Sequence, residues 1–258
     1  MPKQEELGVP AAIIRPAMTE FETLVNGALS LGVRLTPEHL GQFRTYLAGL
    51  SDWNSRMNLT SASALADAER IHLLDSLTLV PLIRRGQPRA ERLVDVGSGA
   101  GFPGLAIKVV MPELRVVLIE ATRKSADFLR WMAGELGHDG VKVVAERAED
   151  AARDETLRES FDVAVARAVG PLPVVMELTL PFCRAGGVLL AHRGKDEPES
   201  ADHNERVAAR LGGRFRGIEP VSIEGEDRRT SIAVVDKIGK TSGGYPRRSG
   251  VPAKRPLD

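Results

Sequence analysis

The stretch Asp95-Val96-Gly97-Ser98-Gly99-Ala100-Gly101-Phe102-Pro103-Gly104 decides the fold of this 258-residue chain. It completes an apolar run, Leu93–Val96, that is typical of a buried strand. Glycines permit backbone angles that are closed to other residues, and they let a ligand approach the main chain closely. Because a helical segment follows, we predict a strand, a ligand-binding loop and a helix at one edge of an open α/β sheet.

Six further apolar runs follow this stretch, and most of them alternate with helical segments. They occupy residues 116–119, 141–145, 161–166, 188–191, 221–223 and 232–235. Such alternation predicts a doubly wound, mostly parallel sheet covered by helices on both faces. We expect the last two runs to pair as a hairpin around residues 224–229, which makes one edge of the sheet mixed.

The part before the glycine-rich stretch has helical patterns. Thr19–Glu22 has the form of a capping box, and Thr36-Pro37-Glu38 is a second helix start, because proline is favoured in the first turn. Residues 58–61 interrupt this pattern, and helical spacing returns over about 64–85. We therefore predict a flexible lead over 1–17, a helical extension over 18–90, an α/β domain over 91–238 and an irregular basic tail over 239–258.

Composition restricts the class of protein. Apolar residues make up 43% and charged residues 27%, as in an ordinary globular protein. The single cysteine, Cys183, excludes an internal disulfide framework and suits a reducing compartment, so we expect a cytoplasmic location. No apolar run is long enough to span a membrane, and the scattered histidines predict no metal site.

Charge is unevenly distributed along the chain. The formal net charge is zero, which taken alone argues against a nucleic-acid partner, because phosphate binders usually carry a basic excess. Residues 237–258 nevertheless contain six basic residues and one acidic residue. A basic tail on a neutral body keeps a nucleic-acid partner open.

Two classes of cofactor use a loop of this kind. Gly99, Gly101 and Gly104 satisfy the dinucleotide string G-x-G-x-x-G. However, the glycines begin directly after the strand, and Asp95 lies two residues ahead of the first one. A carboxylate there suits a cofactor with a cationic amino-acid end and repels a pyrophosphate. The register therefore favours S-adenosylmethionine over NAD; a tight turn that only packs the helix on the sheet is the alternative without a ligand.

Residues at the ends of the next strands complete the predicted pocket. Glu120 ends the second strand, where a carboxylate can accept both hydroxyl hydrogens of a ribose. Ala148 and Glu149 follow the third strand and are placed to flank an adenine ring, although ordinary helix capping is an equal alternative. Arg167 ends the fourth strand, beside the expected transfer site, where a salt bridge is the alternative.

The chain resembles the RsmG (GidB) family of small-subunit ribosomal RNA guanine-N7 methyltransferases. The glycine-rich stretch is the first segment that matches, and the resemblance as a whole extends over about residues 20–257. Arg193-Gly194 departs from the family pattern, in which Lys-Gly is expected. The other matching segments are Trp53-Asn54, Asn58-Leu59-Thr60, His72-Leu73-Leu74-Asp75-Ser76-Leu77, Glu120-Ala121-Thr122-Arg123-Lys124, Phe161-Asp162, Ala166-Arg167-Ala168 and Tyr245-Pro246-Arg247-Arg248.

The resemblance implies a Rossmann-like, S-adenosylmethionine-dependent methyltransferase with an N-terminal helical extension. It implies a guanine in 16S ribosomal RNA, free or in the small ribosomal subunit, as substrate, and we expect a monomer without a membrane partner. The residues expected to bind the cofactor are Asp95, Gly97, Gly99, Gly101, Phe102, Glu120, Ala121, Thr122, Ala148, Glu149 and Arg167.

Guanine N7 has a lone pair and carries no proton, so its methylation requires no general base. Alignment of N7 with the methyl group and the sulfur is then the main demand. We expect Arg167, His72 and Asp75 to position the substrate; for His72, orienting Asp75 or packing between helices is favoured over a role as base. The candidate RNA contacts, each of which could instead be a solvated surface charge, are Arg123, Lys124, Arg193, Lys195, Arg247 and Arg248.

Three other functions remain compatible with these patterns. A small-molecule or protein methyltransferase would use the same loop without the basic tail. A non-catalytic RNA-binding module would bind the cofactor without turnover. An NAD-dependent oxidoreductase would use the alternative glycine register.

Overall fold

The computed structural model describes residues 21–194, 200–223 and 229–258. The described residues do not include the predicted flexible lead over 1–17, nor Thr19, Glu20 and Lys195. The N-terminal part is helical, with a chain of short elements after two longer helices. These elements are α1 (Glu22–Ser30), α2 (Pro37–Met57), α3 (Ala62–Ala66), a π-helix (Glu69–Leu74), α4 (Asp75–Leu77) and α5 (Leu79–Gly86).

The start and end of α2 follow from its sequence. The Thr36 hydroxyl accepts a hydrogen bond from the His39 amide at 3.3 Å, and Pro37 occupies the first turn, which confirms the predicted helix start. Asn58 ends α2 in a left-handed conformation, with φ 50°. Helix α1 begins at Glu22, later than the predicted capping box, and Phe21 precedes it with φ 67°.

The sheet contains every strand that the apolar runs predict. In the part of the chain that the structure describes it has seven strands, in the order β3-β2-β1-β4-β5-β7-β6. Strands β1 to β5 are parallel, and β7 is antiparallel to both β5 and β6. The strands are β1 (Arg92–Val96), β2 (Arg115–Ile119), β3 (Val141–Val144), β4 (Phe161–Ala166), β5 (Cys183–Arg193), β6 (Gly213–Ser222) and β7 (Arg229–Lys237).

Helices connect the parallel strands, as crossovers between parallel strands require. They are α6 (Gly104–Val110), α7 (Arg123–Glu135), α8 (Ala148–Ala151) and α9 (Leu172–Thr179), the last of which is followed by a 3-10 turn (Leu180–Phe182). Helix α10 (Ala201–Arg210) lies between β5 and β6, and α11 (Val251–Lys254) follows β7. The strand order reverses between β1 and β4, and ligands of open α/β sheets bind in the crevice at such a point. The predicted loop leaves β1 at this crevice.

The helical extension packs on the same core as the sheet. Alternate residues of the strands point to opposite faces, so Leu93 belongs to one buried cluster and Val94 to the other. Phe43 and Tyr46 of α2 and Leu73 of the π-helix lie in the cluster of Leu93. The extension is therefore one of the layers that cover the sheet.

Strands β5 and β6 are longer than their apolar runs predict. Strand β6 lies at the edge of the sheet, and its residues alternate between more buried and exposed positions over its whole length. Most of β6 is not a continuous apolar run, because it contains charged residues and Pro220, although both are typical of edge strands. A register shift between Phe215 and Gly217 adds an irregularity in the middle.

The tail is mostly irregular, as predicted, but it contains the short helix α11 and packs against the body. Pro252 and Leu257 are buried, and Leu257 joins the cluster of Val94. The described helices include none that is long and apolar enough to cross a membrane.

Candidate active site

The glycine loop begins at the carboxyl end of β1. The amides of Gly97 and Ser98 donate to the carbonyl of Ile119, at the end of β2, over 2.9 and 3.1 Å. Gly99 has φ 56°, and the space into which a side chain would extend is empty. A Cβ on Gly101, which has φ 92°, would collide with the Tyr46 hydroxyl. The backbone of the loop therefore has open space beside it at Gly99, whereas at Gly101 it packs closely against Tyr46.

Asp95 lies fully buried under this loop. Its Oδ2 accepts a hydrogen bond from the Gly104 amide at 2.9 Å, whereas Oδ1 has no hydrogen-bond partner among the described residues. Desolvation raises the pKa of Asp95 to about 7, against the opposing effects of the Gly104 amide and the Arg167 charge. A buried carboxylate oxygen without a donor fits the predicted cationic amino-acid end of a cofactor, because such a group would compensate the charge.

Glu120 connects the glycine loop to the end of β2. Its Oε2 accepts from the Gly99 amide at 2.9 Å, and its Oε1 accepts from the Thr122 amide at 2.6 Å. Each carboxylate oxygen can accept more than one hydrogen bond, so these contacts orient the group and leave acceptor capacity for ribose hydroxyls. Ala121 and Thr122 are exposed beside it. Glu120, Ala121 and Thr122 thus lie next to the loop, at the edge where the sequence predicts the ribose.

Phe102 is the middle ring of a stack that joins the loop to the helical extension. Tyr46 of α2 stacks on it at 4.8 Å between centroids, and His72 of the π-helix at 4.6 Å. The interplanar angles are 11° and 8°, so both neighbouring rings stack nearly parallel to Phe102. Phe102 is only 3% exposed, which leaves a ring edge at most for the predicted cofactor contact.

Arg167 brings together the residues that the sequence proposes for substrate positioning. Its Nη1 donates to the Ile71 carbonyl at 2.7 Å and to Asp75 Oδ2 at 3.2 Å, and its Nη2 lies 3.1 Å from His72 Nδ1. Its guanidinium also lies over the Phe102 ring, 5.5 Å from the centroid. Arg167 is therefore the centre of a polar cluster that crosses from β4 to the helical extension.

The contacts within this cluster determine which ring nitrogen of His72 carries the proton. Arginine is only a donor, so His72 Nδ1 accepts from Arg167, and the proton of the neutral ring lies on Nε2. Nε2 is 3.0 Å from the Thr60 hydroxyl. Both ring nitrogens are thus engaged. Asp75, which is 4% exposed, also accepts from the Thr230 hydroxyl of β7 at 2.9 Å.

Ala148 and Glu149 lie in the first turn of α8, after β3, as predicted. The Glu149 side chain is nearly buried, and its Oε1 accepts from the Gly250 amide of the tail at 2.8 Å. The carboxylate therefore holds the tail. Contact of either residue with an adenine ring stays a prediction.

The predicted RNA contacts fall into two groups. Arg123, Lys124 and Arg248 are exposed, and the Lys124 amine caps α2 by donating to the Met57 carbonyl at 2.6 Å. Arg193 is half-buried and donates to the Gly170 carbonyl at 3.1 Å, and Arg247 forms an ion pair with Glu177. Among the described candidates, the first group is the more accessible to a phosphate.

Sequence reasoning missed Tyr46 and Glu177. The Tyr46 hydroxyl donates to the Ala100 carbonyl at 2.6 Å and so holds the glycine loop. Glu177 is fully buried in α9. Both carry a signal in the sequence: Tyr46 is a polar ring within the apolar stripe of α2, and Glu177 is an isolated acid in an otherwise apolar helix.

The fold and the site together define a Rossmann-like methyltransferase that uses S-adenosylmethionine. The dinucleotide-binding sheet has the order 3-2-1-4-5-6. Here an antiparallel β7 lies between β5 and β6, and a buried carboxylate, not a phosphate-binding surface, lies under the glycine loop.

The chain belongs to the GidB family, rRNA small subunit methyltransferase G, whose model matches residues 39–224. A ribosomal RNA small subunit methyltransferase G of Dehalococcoides mccartyi (strain CBDB1) is 41% identical over 234 residues, which cover 91% of this chain and 98% of that protein. The protein of the same name from Roseiflexus sp. (strain RS-1) is 43% identical over 240 residues, 92% of this chain and 100% of that protein. The resemblance predicted from the sequence is confirmed.

Solved structures share the fold. MtNAS in complex with MTA and tNA has a TM-score of 0.51 and 21% identity over 78% of this chain and 72% of that chain. A mutant of MtNAS in complex with S-adenosylmethionine has the same TM-score and identity, over 78% and 74%. Membership of this methyltransferase family supports S-adenosylmethionine over the alternative of NAD.

Proposed function

We propose that this chain transfers a methyl group from S-adenosylmethionine to N7 of a guanine in 16S ribosomal RNA. The family and the names of its relatives support ribosomal RNA of the small subunit as substrate. The family supports the N7 assignment, and the state of His72 agrees with it: both ring nitrogens are engaged, by Arg167 and Thr60.

An engaged histidine suits this reaction because N7 has no proton to remove. The cofactor supplies an electrophilic methyl group on a sulfonium. A nucleophile that must lose a proton would need a base with a free lone pair. N7 needs only to be held in line with the methyl group and sulfur, so transfer proceeds without an obligatory general base.

The residues of the chain then act by positioning. The glycine loop, Asp95 and Glu120 bind the cofactor, with Asp95 beneath the amino-acid end and Glu120 at the ribose. Arg167, His72 and Asp75 hold the end of β4 against the π-helix, where the guanine enters. Val169, two residues after Arg167, lies against Gly97, so this cluster also fixes the wall beside the loop.

Access to N7 restricts the form of the RNA. The deep major groove of an A-form helix hides N7, so the target guanine lies in a loop or is turned out of its stack. Arg123, Lys124 and Arg248 are the exposed cations proposed to contact the phosphates around it. We further propose that the enzyme is a monomer and that it acts in the cytoplasm, on the free RNA or on the small subunit.

The test uses cofactor with a tritiated methyl group and small-subunit particles or RNA from cells that lack this protein. We expect label in a single guanine and strand cleavage there by borohydride and aniline, which detects N7-methylguanosine. Label in protein or small molecules alone, or in no acceptor, would overturn the RNA assignment.

The same assay tests the absence of a base. With saturating substrates, the rate of a single turnover should be independent of pH between about 7 and 9, because no group of the enzyme must lose a proton. A His72→Gln variant should keep the flat profile. A rate that rises with pH and becomes flat in His72→Gln would identify His72 as a general base.

A further inference from the structure

The C-terminal tail runs back across the body of the protein and is fastened along its length. Arg158 donates to the carbonyls of Tyr245 and Thr241 at 3.0 and 2.9 Å, and Arg153 donates to that of Pro246 at 2.8 Å. These arginines lie just after α8. The tail is therefore attached to the segment that follows Ala148 and Glu149, the residues predicted to flank the adenine ring and called here the adenine wall.

Arg247 is the strongest of these attachments. Its backbone amide and its Nε both donate to Glu177 Oε1, at 2.8 and 2.9 Å, and its Nε and Nη2 donate to Oε2 at 3.1 and 2.6 Å. Glu177 is fully buried in α9, and the hydrogen bonds raise the pKa of Arg247. A buried carboxylate that depends on one arginine makes loss of the contact costly.

The residues after Arg247 reach α8 itself. The Gly250 amide donates to Glu149 Oε1 at 2.8 Å, and the Ser249 hydroxyl donates to Asp150 Oδ2 at 3.0 Å. Gly250 has φ 79°, which an L side chain would strain. Helix α8 has only four residues, so much of its support comes from outside the helix. The tail thus holds the turn that contains Ala148 and Glu149.

We infer that the tail is part of the cofactor site, and that Arg247 is a positioning residue for cofactor binding and not an RNA contact. The inference rests on the proposed function, because it takes Ala148 and Glu149 as the adenine wall. Docking of Arg247 on Glu177 places Gly250 on Glu149 and holds α8 against the adenosine.

The coupling must be reciprocal. If a docked tail raises the affinity for cofactor by some factor, bound cofactor stabilises the docked tail by the same factor. The amides of Arg247 and Gly250 report docking directly, because each donates to a carboxylate of the body.

The test compares two adjacent arginines in the full-length protein. Calorimetry with S-adenosylhomocysteine should give a Kd about tenfold higher for Arg247→Gln, and an intermediate Kd for Arg247→Lys, which keeps the charge but loses the planar fork. Arg248→Gln is the matched control, because Arg248 is exposed, and its Kd should equal that of the unaltered protein.

Measurements of RNA binding distinguish an arginine that holds the tail in place from one that contacts a phosphate. Arg248→Gln should lower the slope of log K against log salt by about 0.7, the value for one phosphate contact to a single strand, whereas Arg247→Gln should leave it unchanged. A lower slope in Arg247→Gln with an unchanged Kd for S-adenosylhomocysteine would make Arg247 a phosphate contact and overturn the inference.

Hydrogen exchange of the unaltered protein keeps the test independent of how well the variants fold. S-adenosylhomocysteine should slow exchange of the Arg247 and Gly250 amides by a factor that matches the loss of affinity in Arg247→Gln. Equal exchange with and without ligand would overturn the inference and leave the proposed function intact. Failure of the unaltered protein to bind S-adenosylhomocysteine would overturn the cofactor site itself.

Discussion

Asp95 illustrates the conflict between burial and charge at a single residue. It is fully buried, and its pKa of about 7 lies far above the ordinary value of 3.8. Between these values the folded state holds a proton that the unfolded state releases. Its contribution to stability is therefore present at low pH and is lost as pH rises from about 4 to about 7. A cationic ligand would favour the ionised form.

For Asp95→Asn we expect opposite effects on stability and on binding. Relative to the unaltered protein, its free energy of unfolding should increase from pH 5 to pH 8, because the variant has no buried charge. Its affinity for S-adenosylhomocysteine at pH 8 should fall by a factor of about ten to a hundred, the loss of a charged hydrogen bond. Urea unfolding and calorimetry at both pH values measure this. An affinity that is equal at pH 8 would show that Asp95 does not contact the cofactor.

Gly99 is the residue where a side chain should block the cofactor. Gly99→Val fills the open space above the loop and strains a backbone with φ 56°, so affinity for S-adenosylhomocysteine should fall at least about a hundredfold, which is about 2.7 kcal/mol. Gly41→Ala is the matched control, because Gly41 also has open space around it but lies in α2. Normal binding by Gly99→Val would show that the cofactor lies elsewhere.

At the scale of elements, the helical extension supports the glycine loop. Helix α2 supplies Tyr46, the π-helix supplies His72, and Phe102 of the loop lies between them. Burial raises the pKa of Tyr46 well above its usual value, so the hydroxyl remains a donor to the Ala100 carbonyl. The extension therefore orders the loop as well as covering the sheet.

Tyr46→Phe tests this role, because it removes only the hydroxyl and keeps the stack. Stability should fall by about 1–2 kcal/mol, since the Ala100 carbonyl stays buried without its donor. Affinity for S-adenosylhomocysteine should fall about fivefold as the loop loosens. Urea unfolding and calorimetry measure both quantities. A loss of stability at unchanged affinity would restrict Tyr46 to a structural role.

At the scale of the whole molecule, a net charge of zero does not show which charged residues are exposed and which have partners within the protein. Many of its basic residues serve internal contacts, among them Arg158, Arg167 and Arg247. Exposed cations at the carboxyl edge of the sheet, such as Arg123, remain for a polyanion. A neutral chain can therefore bind RNA through a few residues near the site.

Arg123→Gln should lower the slope of log K for RNA against log salt by about 0.7, because one phosphate contact to a single strand is lost. Arg115→Gln is its control: Arg115 is an exposed residue at the opposite end of β2, away from the cofactor edge. Filter binding over a range of salt concentrations measures both. Equal slopes for the two variants would exclude Arg123 from the interface.

Much of the fold was predictable because its signals are local in the chain. Each strand has its own apolar run, Thr36 and Pro37 specify the start of α2, and the glycines directly follow β1. The π-helix and the length of β6 were not predictable in this way. The π-helix lies where Arg167 inserts from β4, and β6 is an edge strand whose polar face resembles a loop in sequence.

The sequence by itself predicted the sheet, the cofactor class and the family, because each rests on patterns that are local in the chain: separate apolar runs, the glycines directly after Asp95, and short matching segments. Only the tertiary structure decided which charged side chains have partners within the protein and which are exposed to solvent. Glu177 and Arg247 are 70 positions apart, and no local pattern pairs them. Arg247 and Arg248 are indistinguishable in sequence, yet one is held by a buried carboxylate and the other is exposed, because side-chain partners are assigned by packing.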